Sequence, residues 1–299
     1  MSALKQLEGG LGGYYRDTRT QLDSSAGTLS GTDRTIGQIL SEQNTAVATR
    51  GSTAAGDRGG VYTPPAGELE MRRRQLRDED SQDEDLVFTS NTVRILPSDD
   101  AGTLNVYKPF TGESFGKRDW ITHEQGQLAR REVAAYRIDQ LFGFGRVPPT
   151  ALVDGPNGPG SVQQFVELDR GKRWDEYDPI QQQQVAVLHW VIGNSDGHRA
   201  NYRPDLNGDL VAFDHGYSLP ETPDPARGGR EFILNSDFVT LHQGSGDPLD
   251  ESVLRAVDAV RPEHVRAALE DLDLDESAIS GALTRLEQIQ QLRRIPAAG

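Results

Sequence analysis

Apolar positions follow a period of two over much of residues 86–168 and a helical period of 3.6 after it, with one helical stretch set between the strands. Val87, Phe88 and residues 93–96 read as strands, with a turn over 97–102. Leu104, Val106 and Lys108 alternate with Asn105 and Tyr107, so Lys108 shares the apolar face of its strand before Pro109 ends the ladder. Thr122 and Gln125 suggest a capping box for a helix that runs to about Phe142 and stops at Gly143. Its inward stripe is Leu128, Ala135, Ile138 and Leu141, and Glu132 falls on that stripe. Pro148 and Pro149 open the next element, followed by a turn over 155–160 and a strand over 161–168. An apolar run from Val185 to Ile192 reads as a buried helix, and amphipathic helices are expected at 250–260, 262–272 and 275–295. The pattern predicts an α+β chain in two lobes, a sheet-rich one over 86–167 and a helical one over 168–299.

Residues 1–85 lack this patterning. They are rich in Gly, Ser, Thr, Asp and Gln and close on a basic block (Arg72, Arg73, Arg74, Arg77) followed by an acidic one, which predicts a largely disordered tail with a solvated linker. A transient helix is expected only near 36–43. The whole chain carries a net charge of −15, which argues against nucleic acid or anionic lipid as a partner held by bulk electrostatics. With no apolar run of about 18 residues there is no transmembrane segment, and without cysteine there is no disulfide, thiolate metal site or palmitoyl anchor. The opening residues lack the apolar core of a secretory signal, so a cytoplasmic protein is expected.

The candidate chemistry lies at 193–219. Asp196 is followed five positions later by Asn201, and Asp214 stands behind a short apolar strand. Asn207-Gly208 is a strong signal for a two-residue hairpin turn, and that turn would set Asn201 directly opposite Asp214. Phosphoryl transfer needs such a set: one carboxylate to orient or deprotonate an acceptor hydroxyl, and an amide and a carboxylate to hold Mg²⁺. The stretch from Asp205 to Asp209 is no calcium loop, because its glycine comes at the fourth position rather than the sixth. A carboxylate on a buried face needs a cation, and the inward Lys108 is the natural partner for Glu132. A strand lysine paired with a helix glutamate is the arrangement kinases use to hold the α- and β-phosphates of a nucleotide.

Several ordered segments together resemble the phosphatidylinositol 3-/4-kinase superfamily, and within it the type II phosphatidylinositol 4-kinases most, as a soluble, bacterial-like variant. Residues 106–116 (VYKPFTGESFG) resemble the ATP-lysine strand, 131–139 (REVAAYRID) the glutamate-bearing helix, and 160–167 (GSVQQFVE) the hinge. Residues 194–201 (NSDGHRAN) and 212–220 (AFDHGYSLP) are similar to the catalytic and metal-binding loops. The resemblance implies a bilobal protein-kinase-like fold of the atypical phosphatidylinositol-kinase type, with hinge and N-lobe before 168 and C-lobe after it. It implies that Lys108 binds ATP phosphates and pairs with Glu132. Phe165, Val166 and Glu167 would meet adenine through the backbone, Val166 foremost. Asp196 would be the catalytic aspartate, with Asn201 and Asp214 as ligands of Mg²⁺, for which Mn²⁺ can substitute. His198 would either relay the acceptor's proton or only pack the loop.

Three departures stand out. Gly197 replaces the arginine that usually follows the catalytic aspartate, the turn 97–102 is acidic where the family uses Ser and Gly, and the cysteine-rich palmitoylation motif is missing. The missing anchor motif, with the acidity and the predicted disordered tail, favours a protein or soluble small molecule over a phosphoinositide as hydroxyl acceptor. The acidic turn and Gly197 motivate an alternative, a nucleotide-binding pseudokinase or scaffold, and protein adenylylation on the same fold is a further one. A metal hydrolase built on His189, Asp196, His198, Asp214 and His215 lacks the paired histidine spacing of known motifs.

Overall fold

A four-stranded antiparallel sheet, in the order β1-β2-β4-β3, carries the first half of the site. The computed structural model describes residues 62–77, 91–99, 103–169, 172–221 and 232–297. Its strands are β1 (Arg94–Pro97), β2 (Leu104–Pro109), β3 (Thr150–Gly155) and β4 (Gly158–Gln164). In the β2–β4 ladder Lys108 lies opposite Ser161, and Val106 opposite Gln163. Tyr107 and Val162 therefore point to the other face. The Tyr107 ring lies where a side chain at Gly160 would stand, with an added Cβ 2.6 Å from the ring, and its hydroxyl donates to the Gly158 carbonyl at 2.6 Å.

Helix α1 (Ala66–Arg72) covers that other face, its Met71 packed with Ala151 and Val162. The chain after it joins the sheet edge: the Arg77 amide donates to the Pro97 carbonyl and the Asp99 amide to the Gln75 carbonyl. The expectation of a disordered tail to residue 85 is therefore corrected for residues 62–77, where one buried methionine and a run of edge hydrogen bonds outweigh a polar composition. The basic block is not a solvated linker either. Arg72 meets Glu68 at 2.6 Å, Arg74 meets Asn105 at 2.8 Å, and Arg77 meets Asp99 at 3.2 Å. The expected strand at 87–88, the helix near 36–43 and the acidic run from 78 lie outside the described residues.

On the Lys108 face lies α2 (Gln127–Phe142), which ends at Gly143 in the left-handed conformation, φ 67°. Its start differs from expectation. Thr122 is bound to Glu221, and Gly126 is the N-cap. The open amides of Gly126 and Ala129 donate to the Glu113 carboxylate, both at 2.8 Å, so the cap comes from an earlier loop rather than from a local box. Arg137 fastens the other end of α2. Its fully buried guanidinium grips both oxygens of the equally buried Glu68, at 2.9 and 2.7 Å, and also binds the Ala268 carbonyl and Asp271.

The second lobe is helical. Helix α3 (Pro179–Ile192) is capped by the Asp178 side chain and has Val185, Val187, Leu188, Val191 and Ile192 in the core. Around it stand α4 (Asp237–Ser245), α5 (Glu251–Asp258) and α7 (Glu276–Leu292), while α6 (Pro262–Leu269) packs on α2 and α7. The last three match the expected amphipathic stretches, with α6 running into a 3₁₀ turn at Glu270–Leu272; α4 was not anticipated. A hairpin of β5 (Tyr202–Pro204) and β6 (Leu210–Ala212) closes the face toward the sheet lobe. Among the described residues no helix is long and apolar enough to cross a membrane.

Glu68→Ala is expected to destabilise the protein by about 3 kcal/mol in urea unfolding, because it takes from a buried guanidinium its one buried carboxylate and leaves it the Ala268 carbonyl and the exposed Asp271. Arg72→Ala, which removes a half-exposed partner of the same carboxylate, should cost under about 1 kcal/mol. Asp139 supplies a pH test. Burial pushes its carboxyl up to about 6, against the pull of the Arg146 and Val147 amides. The folded state thus binds this proton more tightly than the unfolded chain, so stability falls as pH rises from about 4 to about 6. Asp139→Asn should flatten that stretch, the gap between variant and parent changing by about 2 kcal/mol between pH 4 and 7.

Candidate active site

The Lys108 ammonium joins the two lobes. It donates to Glu132 Oε1 at 2.5 Å and to Asp214 Oδ1 at 2.8 Å. The second Glu132 oxygen accepts the His215 amide at 2.8 Å, so strand, helix and C-lobe loop meet in one cluster. The three side chains are only 13, 5 and 26% exposed for Lys108, Glu132 and Asp214. Burial alone would lower the lysine pKa, but the carboxylates of Asp214 and Glu132 outweigh it and hold the ammonium above its ordinary value. Burial pushes Glu132 up, with Lys108 opposing; for Asp214 burial is outweighed and the Lys108 ammonium holds the carboxyl below the usual range.

The hairpin register differs from expectation by one residue. Tyr202 faces Ala212 and Arg203 faces Val211, so Asn201 stands opposite Phe213, whose amide donates to the Asn201 carbonyl at 3.0 Å. The cause is Asp205. Its carboxylate accepts the amides of Asn207 and Asp209 at 2.8 and 2.9 Å, which widens the turn to three residues with Gly208 at φ 86°. Asp214 nevertheless reaches the cluster. It adopts φ 62°, a strained value for a non-glycine residue, which breaks the strand alternation just past β6.

The segment 194–201 folds as a tight loop after Gly193, which ends α3 at φ 59°. Asn194 Oδ1 accepts the Asp196 amide at 2.9 Å, and Asn201 Nδ2 donates to the Asp196 carbonyl at 2.9 Å. The nitrogen of Asn201 is thereby committed, and its oxygen is the end suited to a cation. The His198 Nδ1 accepts the Ala200 amide at 3.2 Å, which places the proton of the neutral ring on Nε2, 3.8 Å from Asp196 Oδ1. Burial, reinforced by Asp214, raises the Asp196 pKa; His198 and Arg118 pull it down.

Gly197 has a steric reason. A Cβ there would lie 2.6 Å from His189 Nδ1 and 3.0 Å from the Ser236 Cβ. His189 packs edge-on against His215, ring centroids 5.5 Å apart, and burial lowers both imidazole pKa values, that of His215 to about 4. These two histidines are neutral core residues.

Sequence reasoning missed Arg118. It extends from the loop between β2 and α2, donates to Asp196 Oδ1 at 3.3 Å, and lies over the Tyr217 ring, 3.4 Å from its centroid. Its only sequence signal is indirect: with no arginine at 197, a cation must come from elsewhere. The acidic turn is also less hostile to phosphate than its composition suggests, since Asp99 is engaged by Arg77.

Residues 165–168 cross between the lobes. The Phe165 amide donates to the Leu104 carbonyl in β2, and the Asp169 amide to the Pro204 carbonyl in β5. Val166 packs with Val93, Val106, Leu168, Val211 and Phe213 in an apolar cluster with members from both lobes, while Glu167 is exposed. Among the described residues no three His, Cys, Asp or Glu side chains converge as a metal cage. One carboxylate and one amide oxygen suit Mg²⁺, which takes few protein ligands and completes its shell with phosphate and water.

No family model matches the chain. A curated relative, Protein Rv2133c of Mycobacterium tuberculosis, is 25% identical over 190 residues, covering 51% of this chain and 63% of the relative. Among solved structures the chain is similar to hydra Fam20 with sugar, at 12% identity and a TM-score of 0.45 over 68% of this chain and 81% of that one. The golgi casein kinase gives 12% and 0.46 over 89% and 90%. A Helicobacter pylori proinflammatory kinase, CtkA, gives 13% and 0.41 over 75% and 94%.

Gly197→Ala is expected to cost about 1–3 kcal/mol in thermal or urea unfolding, because the methyl group must displace a packed imidazole. A variant as stable as the parent would show that the loop has room to spare.

Proposed function

We propose that the chain is an ATP- and Mg²⁺-dependent kinase of the phosphatidylinositol 3-/4-kinase-like type, which transfers the γ-phosphoryl group of ATP to a hydroxyl acceptor. The observation that carries this reading is the Lys108–Glu132–Asp214 cluster facing the Asp196 loop across the lobe junction. Adenine would pack against the apolar cluster of Val106, Val166, Val211 and Phe213, with the backbone of Phe165–Glu167 at its edge. Lys108 is placed to bind the α- and β-phosphates, its position fixed by Glu132. Asn201 and Asp214 would hold Mg²⁺, which supplies Lewis-acid neutralisation of phosphate charge. Asp196 orients the acceptor hydroxyl and receives its proton. The acceptor oxygen bonds to the γ-phosphorus while the bridging P–O bond breaks, its electron pair leaving with ADP. His198, whose Nε2–H lies 3.8 Å from Asp196 Oδ1, would steady the charge of that carboxylate rather than take its proton.

Both grounds for a pseudokinase weaken at close range. Asp99 is paired, and Gly197 answers a packing demand, with Arg118 standing beside Asp196. A protein or soluble small molecule remains the favoured acceptor, a phosphoinositide the other, in a cytoplasmic setting; Mn²⁺ is expected to replace Mg²⁺.

The direct test offers radiolabelled ATP with Mg²⁺ to total lysate protein and to mixed lipids. Transfer is expected with the parent, and its abolition with Asp214→Ala or Asp196→Ala while circular dichroism stays unchanged. Undiminished transfer by Asp214→Ala would reject the metal assignment. Intact mass separates a phosphate, about 80 Da, from an AMP group, about 329 Da.

A further inference from the structure

The proposed centre is short of positive charge. Two carboxylates, Glu132 and Asp214, already share the one ammonium, a third, Asp196, feels the charge of Asp214, and an incoming nucleotide adds several negative charges. The position from which an arginine would serve is closed, because any side chain at Gly197 collides with His189. Among the described residues the second permanent cation against these carboxylates is Arg118.

Its placement is built rather than incidental. The guanidinium carbon lies over the Tyr217 ring, 3.4 Å from its centroid, a contact that restrains its direction. Tyr217 in turn ties the two loops together: its hydroxyl donates to the Ser114 carbonyl at 2.6 Å, and its own carbonyl accepts the Ser195 amide and hydroxyl at 3.0 and 2.7 Å. The residue before Asp196 and the loop bearing Arg118 are thus held by one residue, through its carbonyl and its hydroxyl. The bond to Asp196 is long, 3.3 Å, and occupies one of five N–H donors, so the planar fork keeps donors for phosphoryl oxygens.

We infer that Arg118 binds the γ-phosphoryl group during transfer, supplying from the sheet lobe the charge that the catalytic loop cannot carry at Gly197. This rests on the kinase reading. As the acceptor oxygen bonds to phosphorus and the bridging oxygen departs, charge on the equatorial oxygens is met by two N–H groups of Arg118, while the acceptor's proton passes to Asp196. Pairing with Asp196 keeps the guanidinium oriented until phosphate arrives.

The test compares binding of Mg–ADP with that of Mg–ADP–aluminium fluoride, a mimic of the transferring phosphoryl group, by calorimetry on the full chain. Arg118→Ala is expected to hold Mg–ADP within about twofold of the parent and to lose about 30-fold or more in affinity for the fluoride complex, with Arg118→Lys between. In turnover of ATP the alanine variant should lower kcat about 100-fold and leave KM for ATP nearly unchanged. Equal fluoride-complex affinity in parent and Arg118→Ala would overturn the inference and leave the kinase reading standing. So would a parallel loss of both ligands, the mark of a merely structural role. A parent that binds neither ligand would overturn both.

Discussion

One ammonium shared by two carboxylates decides how this molecule is assembled. Lys108, Glu132 and Asp214 come from a strand, a helix and a loop that lie 24 and 106 residues from the lysine along the chain. None of the three could be buried alone, since an unpaired charge in such a setting is strongly disfavoured. The strand must therefore present its lysine inward, the helix must turn its glutamate to the sheet, and the C-lobe must deliver Asp214 at the mouth. The strained backbone of Asp214 is a cost of that delivery, and the His215 amide on Glu132 adds to what holds it.

A second constraint runs through the loop at 194–201. Its packing against His189 excludes any side chain at 197, and its cation is borrowed from across the junction. Fold and charge are thus coupled here: the steric demand of one buried imidazole decides which lobe the arginine comes from. Tyr217 makes the loan workable, because it fixes both loops and supplies the aromatic face on which the guanidinium rests.

Much of this was legible in the sequence wherever local patterning and burial agree. The inward parity of Lys108 and the helical phase of Glu132 predict their meeting, and Gly143 marks the end of α2 as expected. The C-terminal helices follow from their amphipathic stripes. What was illegible depends on partners distant in the chain or on a side chain acting as backbone. Asp205 widens the hairpin turn by binding two amides, so Asn207-Gly208 misleads by one residue. Glu113 caps α2 from an earlier loop, out of reach of any local motif. Residues 62–77 look like linker because their folding rests on a few long-range contacts, and composition does not record contacts. Arg118 sits in a polar loop with no periodicity to reveal its direction.

The grip of Arg137 on Glu68 and Asp271 bears on how the Lys108 cluster could be opened. Helix α2 is bolted at its far end to an N-terminal arm and to the helical lobe at once. Swinging that helix outward to part Glu132 from Lys108 would first rupture a buried, doubly bonded ion pair, at several kcal/mol. Rotation of the helix on its own is thereby disfavoured, and detaching the arm at residues 62–77 would act as a release catch for the cluster.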